Sequence, residues 1–256
     1  MEDSTVVLRA ILSDIHGNQP ALDAVLADLR RQGAEEVVCL GDVIGYGARP
    51  AECVDHARKF KWTLKGNHEL ALLDKEHASR FSQRAAEAIE WTRRRLANEK
   101  DAESPARMAF IEGLEEKQIE EDVIYCHGSP RLPVTEYVKP SLGKNHPERL
   151  KLLFTLFKHV AFVGHTHIAG VFLPDLVFRL PADFGNEYEV GPTKAILNVG
   201  SVGQPRDRNN RACYVLFDGK KAIYRRVRYD VDTAASQVYA TDELDDDLGD
   251  RLLEGR

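Results

Sequence analysis

The stretch Ala10-Ile-Leu-Ser-Asp-Ile-His-Gly-Asn18 changes from apolar to polar within a few residues. Its first half predicts a buried strand, so Asp14 and His16 would follow the strand's carboxyl end, where ligands bind in open α/β sheets. On its own, this pair is better explained as a turn aspartate and a surface histidine. The same change recurs further along the chain, however, and the recurrence points to a shared site.

Four later apolar runs also end in side chains that can bind metal. They are Val37-Val-Cys-Leu-Gly-Asp42, Trp62-Thr-Leu-Lys-Gly-Asn-His68, Val123-Ile-Tyr-Cys-His127 and Val160-Ala-Phe-Val-Gly-His-Thr-His167. The candidate ligands from all five runs are Asp14, His16, Asp42, Asn67, His127, His165 and His167. Oxygen and imidazole donors without a thiolate favour manganese, iron, zinc or magnesium. Seven side chains exceed one tetrahedral site and suit two adjacent divalent ions, which a carboxylate can bridge.

The charges of such a site define its chemistry. Two divalent cations bring about +4 and two aspartates about −2, so the pocket stays positive and suits a phosphate oxyanion. Two ions about 3.5–4 Å apart can share a hydroxide that is nucleophilic near neutral pH, with the leaving oxygen departing in line. His68 follows Asn67, and successive side chains diverge. Its imidazole can therefore face the substrate and protonate the departing alkoxide as a general acid.

Five motifs in a fixed order resemble those of the calcineurin-like metallophosphoesterase superfamily. They are Asp14-x-His16, Gly41-Asp42, Gly66-Asn67-His68, His127 and Gly164-His165-x-His167. The segment Gly200-Ser-Val-Gly-Gln-Pro-Arg206 further resembles the small prokaryotic phosphodiesterase branch of that superfamily.

This resemblance implies a four-layer α/β sandwich, in which helices flank two mixed β-sheets. It also implies a distribution of the ligands, with Asp42 bridging the two ions, and it places His68 at the position of the acid. One ion would be held by Asp14, His16, Asp42 and His167, and the other by Asp42, Asn67, His127 and His165.

The order of the predicted elements gives a compatible fold. Early strands alternate with helices and later strands form hairpins, which predicts a mixed-sheet α/β sandwich. We expect one domain over residues 1–256, because no linker-like tract divides the chain. A helical excursion over about residues 69–121 could cap the pocket. Residues 183–192 are predicted to form a loop, and the acidic C-terminus, about residues 241–256, a solvated helix.

The composition and charge of the chain limit the kinds of partner that we expect. The net charge of −6 comes mostly from residues 241–256, which hold seven acids and two arginines, so the rest of the chain is nearly neutral. Without a broad basic field, long nucleic acids are not expected as partners.

No apolar run is long enough for a membrane span, and we expect a cytoplasmic protein. The four cysteines form no Cys-x-x-Cys pair, which argues against a disulfide or thiolate site. An exposed strand edge could pair two subunits.

Four further side chains are candidates for binding the substrate: Asn18, Tyr46, Ser201 and Arg206. For Asn18, a helix cap is the stronger expectation, although its amide could also touch phosphate. Ser201 and Arg206 are expected to support the pocket wall more than to react. Lone loop arginines such as Arg131 and Arg208 are expected to be solvated.

The leading hypothesis is a dinuclear metal-dependent hydrolase of phosphoric esters, acting as a phosphodiesterase on a small or nucleotide-like substrate. The sequence barely separates this from a phosphomonoesterase or a protein serine/threonine phosphatase, because the same core serves both. A scaffold that has lost catalysis would be expected to lack the acid or some ligands. His68 and all seven candidate ligands are present, so this alternative ranks below the others.

Overall fold

The structure is a computed structural model, and it describes residues 7–256. The strands in this part of the chain are β1 (Arg9–Leu12), β2 (Glu36–Cys39), β3 (Trp62–Thr63), β4 (Lys117–Glu120), β5 (Val123–Cys126), β6 (Val160–Val163), β7 (Gly170–Phe172), β8 (Phe178–Arg179), β9 (Glu187–Glu189), β10 (Ala195–Asn198), β11 (Ala212–Phe217) and β12 (Lys221–Val227). The helices are α1 (Gln19–Arg31), α2 (Pro50–Ala57), α3 (Asn67–Leu73), α4 (Lys75–Ala78), α5 (Gln83–Leu96), α6 (Ser104–Glu112), α7 (Leu142–Asn145), α8 (Pro147–Thr155), α9 (Val231–Tyr239) and α10 (Asp247–Glu254).

The strands form two six-stranded sheets. The first has the order β3-β2-β1-β11-β12-β9 and the second the order β4-β5-β6-β10-β7-β8. Both sheets are mixed: β1 pairs with β2 in parallel and with β11 antiparallel, while β10 pairs with β6 in parallel and with β7 antiparallel. This arrangement confirms the predicted fold class, two mixed sheets flanked by helices.

Strand β1 shows how the layers arise, because successive side chains of a strand point to opposite faces. Ala10 and Leu12 face outward and share a buried cluster with Leu22 of helix α1. Ile11 faces inward and packs with Phe162 of the second sheet. A third cluster, between the second sheet and helix α8, contains Ile124, Val163, Leu150 and Leu153. The chain is therefore stacked as helices, sheet, sheet and helices.

In two segments the structure differs from the prediction, because each contains a short strand at the edge of a sheet. The helical excursion ends earlier than expected, since residues 117–120 form β4, which pairs antiparallel with β5. The predicted loop at residues 183–192 contains β9, which pairs with β12, and follows a 3₁₀ turn at Pro181–Phe184. Each strand carries a single large apolar side chain, Ile119 or Tyr188, because an edge strand has little surface to bury.

The C-terminal helix is also less solvated than expected. Leu248 and Leu252 of α10 and the preceding Leu244 are buried against Val238 of α9, whereas Leu253 is 39% exposed. The predicted C-terminal helix is thus present, but it packs against α9 as a hairpin of two helices and is not fully solvated. Among residues 7–256, no helix combines the length and the apolar character that crossing a bilayer requires.

Candidate metal centre

The candidate ligands lie beyond the carboxyl ends of neighbouring strands in the two sheets. Asp14 and His16 follow β1, Asp42 follows β2, and Asn67 begins α3 after the short loop that follows β3. The second sheet contributes the remaining three from the ends of β5 and β6, namely His127, His165 and His167. All seven side chains are buried. The structure therefore brings together residues separated by up to about 150 positions in sequence.

A left-handed backbone occurs repeatedly at these strand ends. It costs a non-glycine residue roughly 1–3 kcal/mol and persists only where the surrounding structure imposes it. Such residues cluster at active sites and ligand clamps, so this concentration marks the strand ends as a functional region. The site residues with positive φ are Asp14 (54°), His16 (50°), Asp42 (53°), Tyr46 (63°), His165 (65°) and His167 (60°).

Two glycines of the motifs are required by close approach. A β-carbon on Gly66 would overlap the carboxylate of Asp42, and one on Gly45 would overlap the imidazole of His68. The glycines therefore let the β2–α2 loop and the start of α3 pack directly against each other. This packing sets the position of Asp42 relative to His68, whose backbone N–H donates to Asp42 Oδ1 at 2.9 Å.

The first group of donors contains Asp14, His16 and His167. The Nε2 atoms of the two histidines lie 3.1 Å apart, and Asp14 Oδ1 lies 3.2 Å from His167 Nε2. His16 Nδ1 donates to the carbonyl of Ile44 at 3.0 Å, and His167 Nδ1 donates to the carbonyl of Gln204 at 2.6 Å. These outer hydrogen bonds fix both tautomers, so each Nε2 presents a lone pair to the site.

The second group surrounds His127. Its Nε2 lies 3.0 Å from Asn67 Oδ1, 3.1 Å from His165 Nδ1 and 3.2 Å from Asp42 Oδ2. His165 Nε2 donates to the carbonyl of Thr135 at 3.3 Å, which turns Nδ1 toward the site. Asp42 Oδ2 is also 3.6 Å from His16 Nε2 in the first group. One carboxylate oxygen thus stands between the two groups.

Both groups fit divalent cations. Two imidazole lone pairs 3.1 Å apart repel each other unless a cation lies between them, and Asp14 Oδ1 is buried without a hydrogen-bond donor among the described residues. Burial opposes a charge on His127, but the nearby Asp42 carboxylate prevails and raises the pKa of His127 to about 9. The site therefore attracts positive charge at its centre.

His68 lies beside the first group. Its imidazole packs against Tyr46, with ring centroids 4.5 Å apart, and against Phe81 at 5.0 Å. Burial lowers the pKa of His68 to about 4, although the Asp42 charge acts in the opposite direction. A side-chain nitrogen of His68 also lies within 4.8 Å of donor atoms of His16 and Asp42, so the distances alone permit a ligand role as well as an acid role.

The four predicted substrate-binding residues divide into two pairs. Asn18 and Ser201 have structural contacts: Asn18 Oδ1 caps α1 while its amide donates to Gly203 O and the Tyr229 hydroxyl, and Ser201 Oγ donates to Asp14 O. Tyr46 and Arg206 lie at the site. Tyr46 packs on the imidazole of His16 at 4.7 Å, and the Arg206 guanidinium carbon lies 5.8 Å from the Tyr46 ring centroid.

Glu69 is a site residue that the sequence analysis missed. Its buried carboxylate accepts hydrogen bonds from the backbone N–H groups of Asp42, Val43, Ile44 and Gly66. It therefore ties the loop that carries Asp42 to the first turn of α3. A signal was present, because glutamate three residues after the helix-capping Gly66 is the spacing of a capping box.

Glu136 is the second missed residue, and it gives Arg131 an ion-pair partner that was not predicted. The Glu136 side chain is 0% exposed and pairs with Arg131 and Arg149 while accepting from the Ser129 hydroxyl. Arg131 and Arg208 are both exposed as predicted, but Arg131 also belongs to an ion-pair cluster. The neighbours of Glu136 hold His165: Thr135 accepts from its Nε2, and the Tyr137 ring stacks on it at 3.5 Å.

Replacing Glu136 with glutamine should affect both stability and the metal centre. We expect the free energy of unfolding to fall by about 2 kcal/mol, since two arginines lose their anion but keep 41% and 37% exposure. We also expect metal affinity to fall about tenfold, because Thr135 and Tyr137 no longer fix His165. Urea unfolding and metal titration measure the two effects. Glu148→Gln is the control, because among residues 7–256 its 82% exposed carboxylate pairs with Lys151 alone. Equal effects in both variants would contradict this role of Glu136.

A cleft of about 290 Å³ opens beside the donors. One wall comes from the helical excursion, including Arg80 and Phe81, and the other includes Thr135, Tyr137 and His165. Ile89 and Leu96 of the excursion are buried in the same cluster as α1, so the excursion shares the main core. The excursion thus borders the cleft and is integrated with the sandwich.

Comparison with known proteins gives a consistent result. The family model of the calcineurin-like phosphoesterase superfamily domain matches residues 8–222. An uncharacterized protein of Methanocaldococcus jannaschii is 36% identical over 255 residues, covering 96% of this chain and 98% of that protein. The crystal structure of a metallophosphoesterase from Sphaerobacter thermophilus superposes with a TM-score of 0.82 at 32% identity, covering 98% of this chain and 100% of that one. A hypothetical protein of Pyrococcus horikoshii OT3 shares the fold, with a TM-score of 0.75 at 17% identity, covering 97% and 98% of the two chains.

Fold, donor groups and relatives together define a hydrolase of the phosphoesterase class. The chain belongs to the calcineurin-like phosphoesterase superfamily. Its clusters of histidine and aspartate suit divalent metal ions.

Proposed function

We propose that this protein is a dinuclear metal-dependent phosphodiesterase that hydrolyses a small or nucleotide-like phosphoric ester. One ion would be held by Asp14, His16, Asp42 and His167, and the other by Asp42, Asn67, His127 and His165. When bound, such ions neutralise phosphate oxygens and activate water for attack on phosphorus. Manganese, iron, zinc and magnesium all accept these donors.

The observation that carries the proposal is the position of Asp42. Its Oδ2 atom is 3.2 Å from His127 Nε2 and 3.6 Å from His16 Nε2, so one carboxylate faces both donor groups. A single mononuclear site would leave one group of imidazole lone pairs without a cation. Two groups sharing one carboxylate are the arrangement that a two-metal site needs.

The side chains around the donors have distinct tasks in this proposal. His68 gives a proton to the leaving oxygen, because its imidazole lies beside the donor groups without being one of the seven assigned ligands. Arg206 contacts the phosphate. Two of its nitrogens bond Gln204 Oε1, at 2.7 and 3.3 Å, which orients the guanidinium beside the Tyr46 ring.

Turnover of bis-p-nitrophenyl phosphate tests the proposal directly. The protein should release p-nitrophenol near neutral pH with at least one of the four metals and should stop when a chelator is added. Hydrolysis of mono-p-nitrophenyl phosphate under the same conditions distinguishes a diesterase from a monoesterase. Inactivity toward both esters with every divalent metal would refute the proposal.

A further inference from the structure

A second cavity adjoins the catalytic cleft. This groove, of about 510 Å³, lies on the other side of Tyr137, since Thr135 and Tyr137 line both cavities. The Tyr137 ring stacks on His165 with centroids 3.5 Å apart, so the shared wall stands directly against a candidate ligand. A molecule held in the cleft can therefore extend past Tyr137 into the groove.

The charges that face the groove are mainly positive. Its one lining carboxylate, Glu136, is 0% exposed and already pairs with Arg131 and Arg149. Arg149 lines the groove with 37% of its side chain exposed. Lys139 is exposed, lies 5.1 Å above the Tyr137 ring centroid, and forms no ion pair with any residue between 7 and 256. Lys139 and Arg149 can thus contact a ligand in the groove, whereas the buried carboxylate of Glu136 cannot.

This local charge differs from that of the whole chain. The net charge of the protein is −6, so a free anion gains little from long-range attraction to it. The groove is also much larger than a phosphate group and has the size of a site for a nucleoside-sized ligand. Both facts favour a phosphate delivered as part of a larger molecule over a free ion.

We propose that the groove binds a second phosphate group carried by the same substrate whose ester is hydrolysed in the cleft, with Lys139 as its principal contact. This inference rests on the proposed phosphodiesterase activity and narrows its substrate class. The preferred substrates are small phosphodiesters with a further phosphate on the alcohol or nucleoside portion. Tyr137 separates the two phosphates, and Arg149 adds a second cation to the distal one.

Two chromogenic esters test the inference. They are the p-nitrophenyl ester of thymidine 5′-monophosphate and the same compound with an added 3′-phosphate. We expect the added phosphate to raise kcat/KM about tenfold, the value of one charge-assisted contact. Lys139→Gln should remove most of that preference. Lys144→Gln is the matched control, because Lys144 is an exposed lysine of the neighbouring helix α7 that does not line the groove.

A binding measurement separates this inference from the proposed activity. Calorimetry on the full chain with its metals chelated should show thymidine 3′,5′-bisphosphate binding about tenfold tighter than thymidine 5′-monophosphate. Lys139→Gln should lose the difference and Lys144→Gln should keep it. If this holds while neither ester is hydrolysed, the groove stands and the phosphodiesterase proposal fails. If the wild type makes no distinction between the two ligands or the two esters, or if Lys139→Gln slows both esters equally, the second phosphate site is refuted.

Discussion

Asp42→Asn should remove more function than any other single conservative change in this protein. The substitution keeps the shape of the side chain, and its oxygen can still accept the His68 N–H, but it removes the negative charge between the two donor groups. We expect both ions to bind more than about a hundredfold more weakly, and turnover of bis-p-nitrophenyl phosphate to fall by at least about a thousandfold. Elemental analysis after dialysis and steady-state kinetics measure the two effects.

Asp28→Asn provides a matched control for that change. Asp28 is also buried, but its carboxylate accepts from the Tyr214 hydroxyl and pairs with Arg225, away from the donor groups. This variant should lose about 1–2 kcal/mol of stability and keep its metals. If Asp42→Asn retained both ions while Asp28→Asn lost them, the bridging assignment of Asp42 would be wrong.

His68→Asn should have the second largest effect, and its size should depend on the leaving group. Asparagine keeps a polar side chain against Tyr46 and Phe81 but cannot supply a proton near neutral pH. For esters of alkyl alcohols, which need that proton, we expect turnover to fall by about 10²–10⁴-fold. For p-nitrophenyl esters, whose leaving group departs as a stable anion, we expect a loss of about tenfold or less. Comparing the two ester classes on one enzyme preparation gives the result.

The metal content of His68→Asn decides between the two roles that its position permits. An acid can be lost without losing ions, so the variant should hold the same metals as the wild type. Loss of one ion, together with an equal slowing of both ester classes, would instead make His68 a ligand alongside His16 and Asp42.

The sequence predicted the inner strands and their polar ends well, because burial on both faces leaves an unmistakable apolar run. Strand β6 is the apolar part of the run that ends in His165 and His167, and β5 is the apolar part of the run that ends in His127. The donors that follow such runs converge because parallel strands place their carboxyl ends on one edge of a sheet. The order of the five motifs then indicated the calcineurin-like phosphoesterase superfamily.

Features that depend on long-range partners were harder to predict. Strands β4 and β9 lie at sheet edges and bury too little to show an apolar pattern. Glu136 lies in a polar loop, and only the fold brings Arg149 onto it. The acidic residues of α10 predicted a solvated helix. The contact of α9 with Leu248 and Leu252 is a tertiary contact, and the local sequence pattern does not indicate it.

The division of donors between the sheets has a consequence for the molecule's tolerance of chain breaks. Asp14, His16, Asp42 and Asn67 come from the first sheet, and His127, His165 and His167 from the second. Neither set of donors alone makes a complete candidate metal centre. A chain nicked at the exposed turn between β4 and β5 would yield two inert fragments. Each fragment carries strands of both sheets, so recovered turnover after mixing them would report that β1 had paired with β11 and β4 with β5.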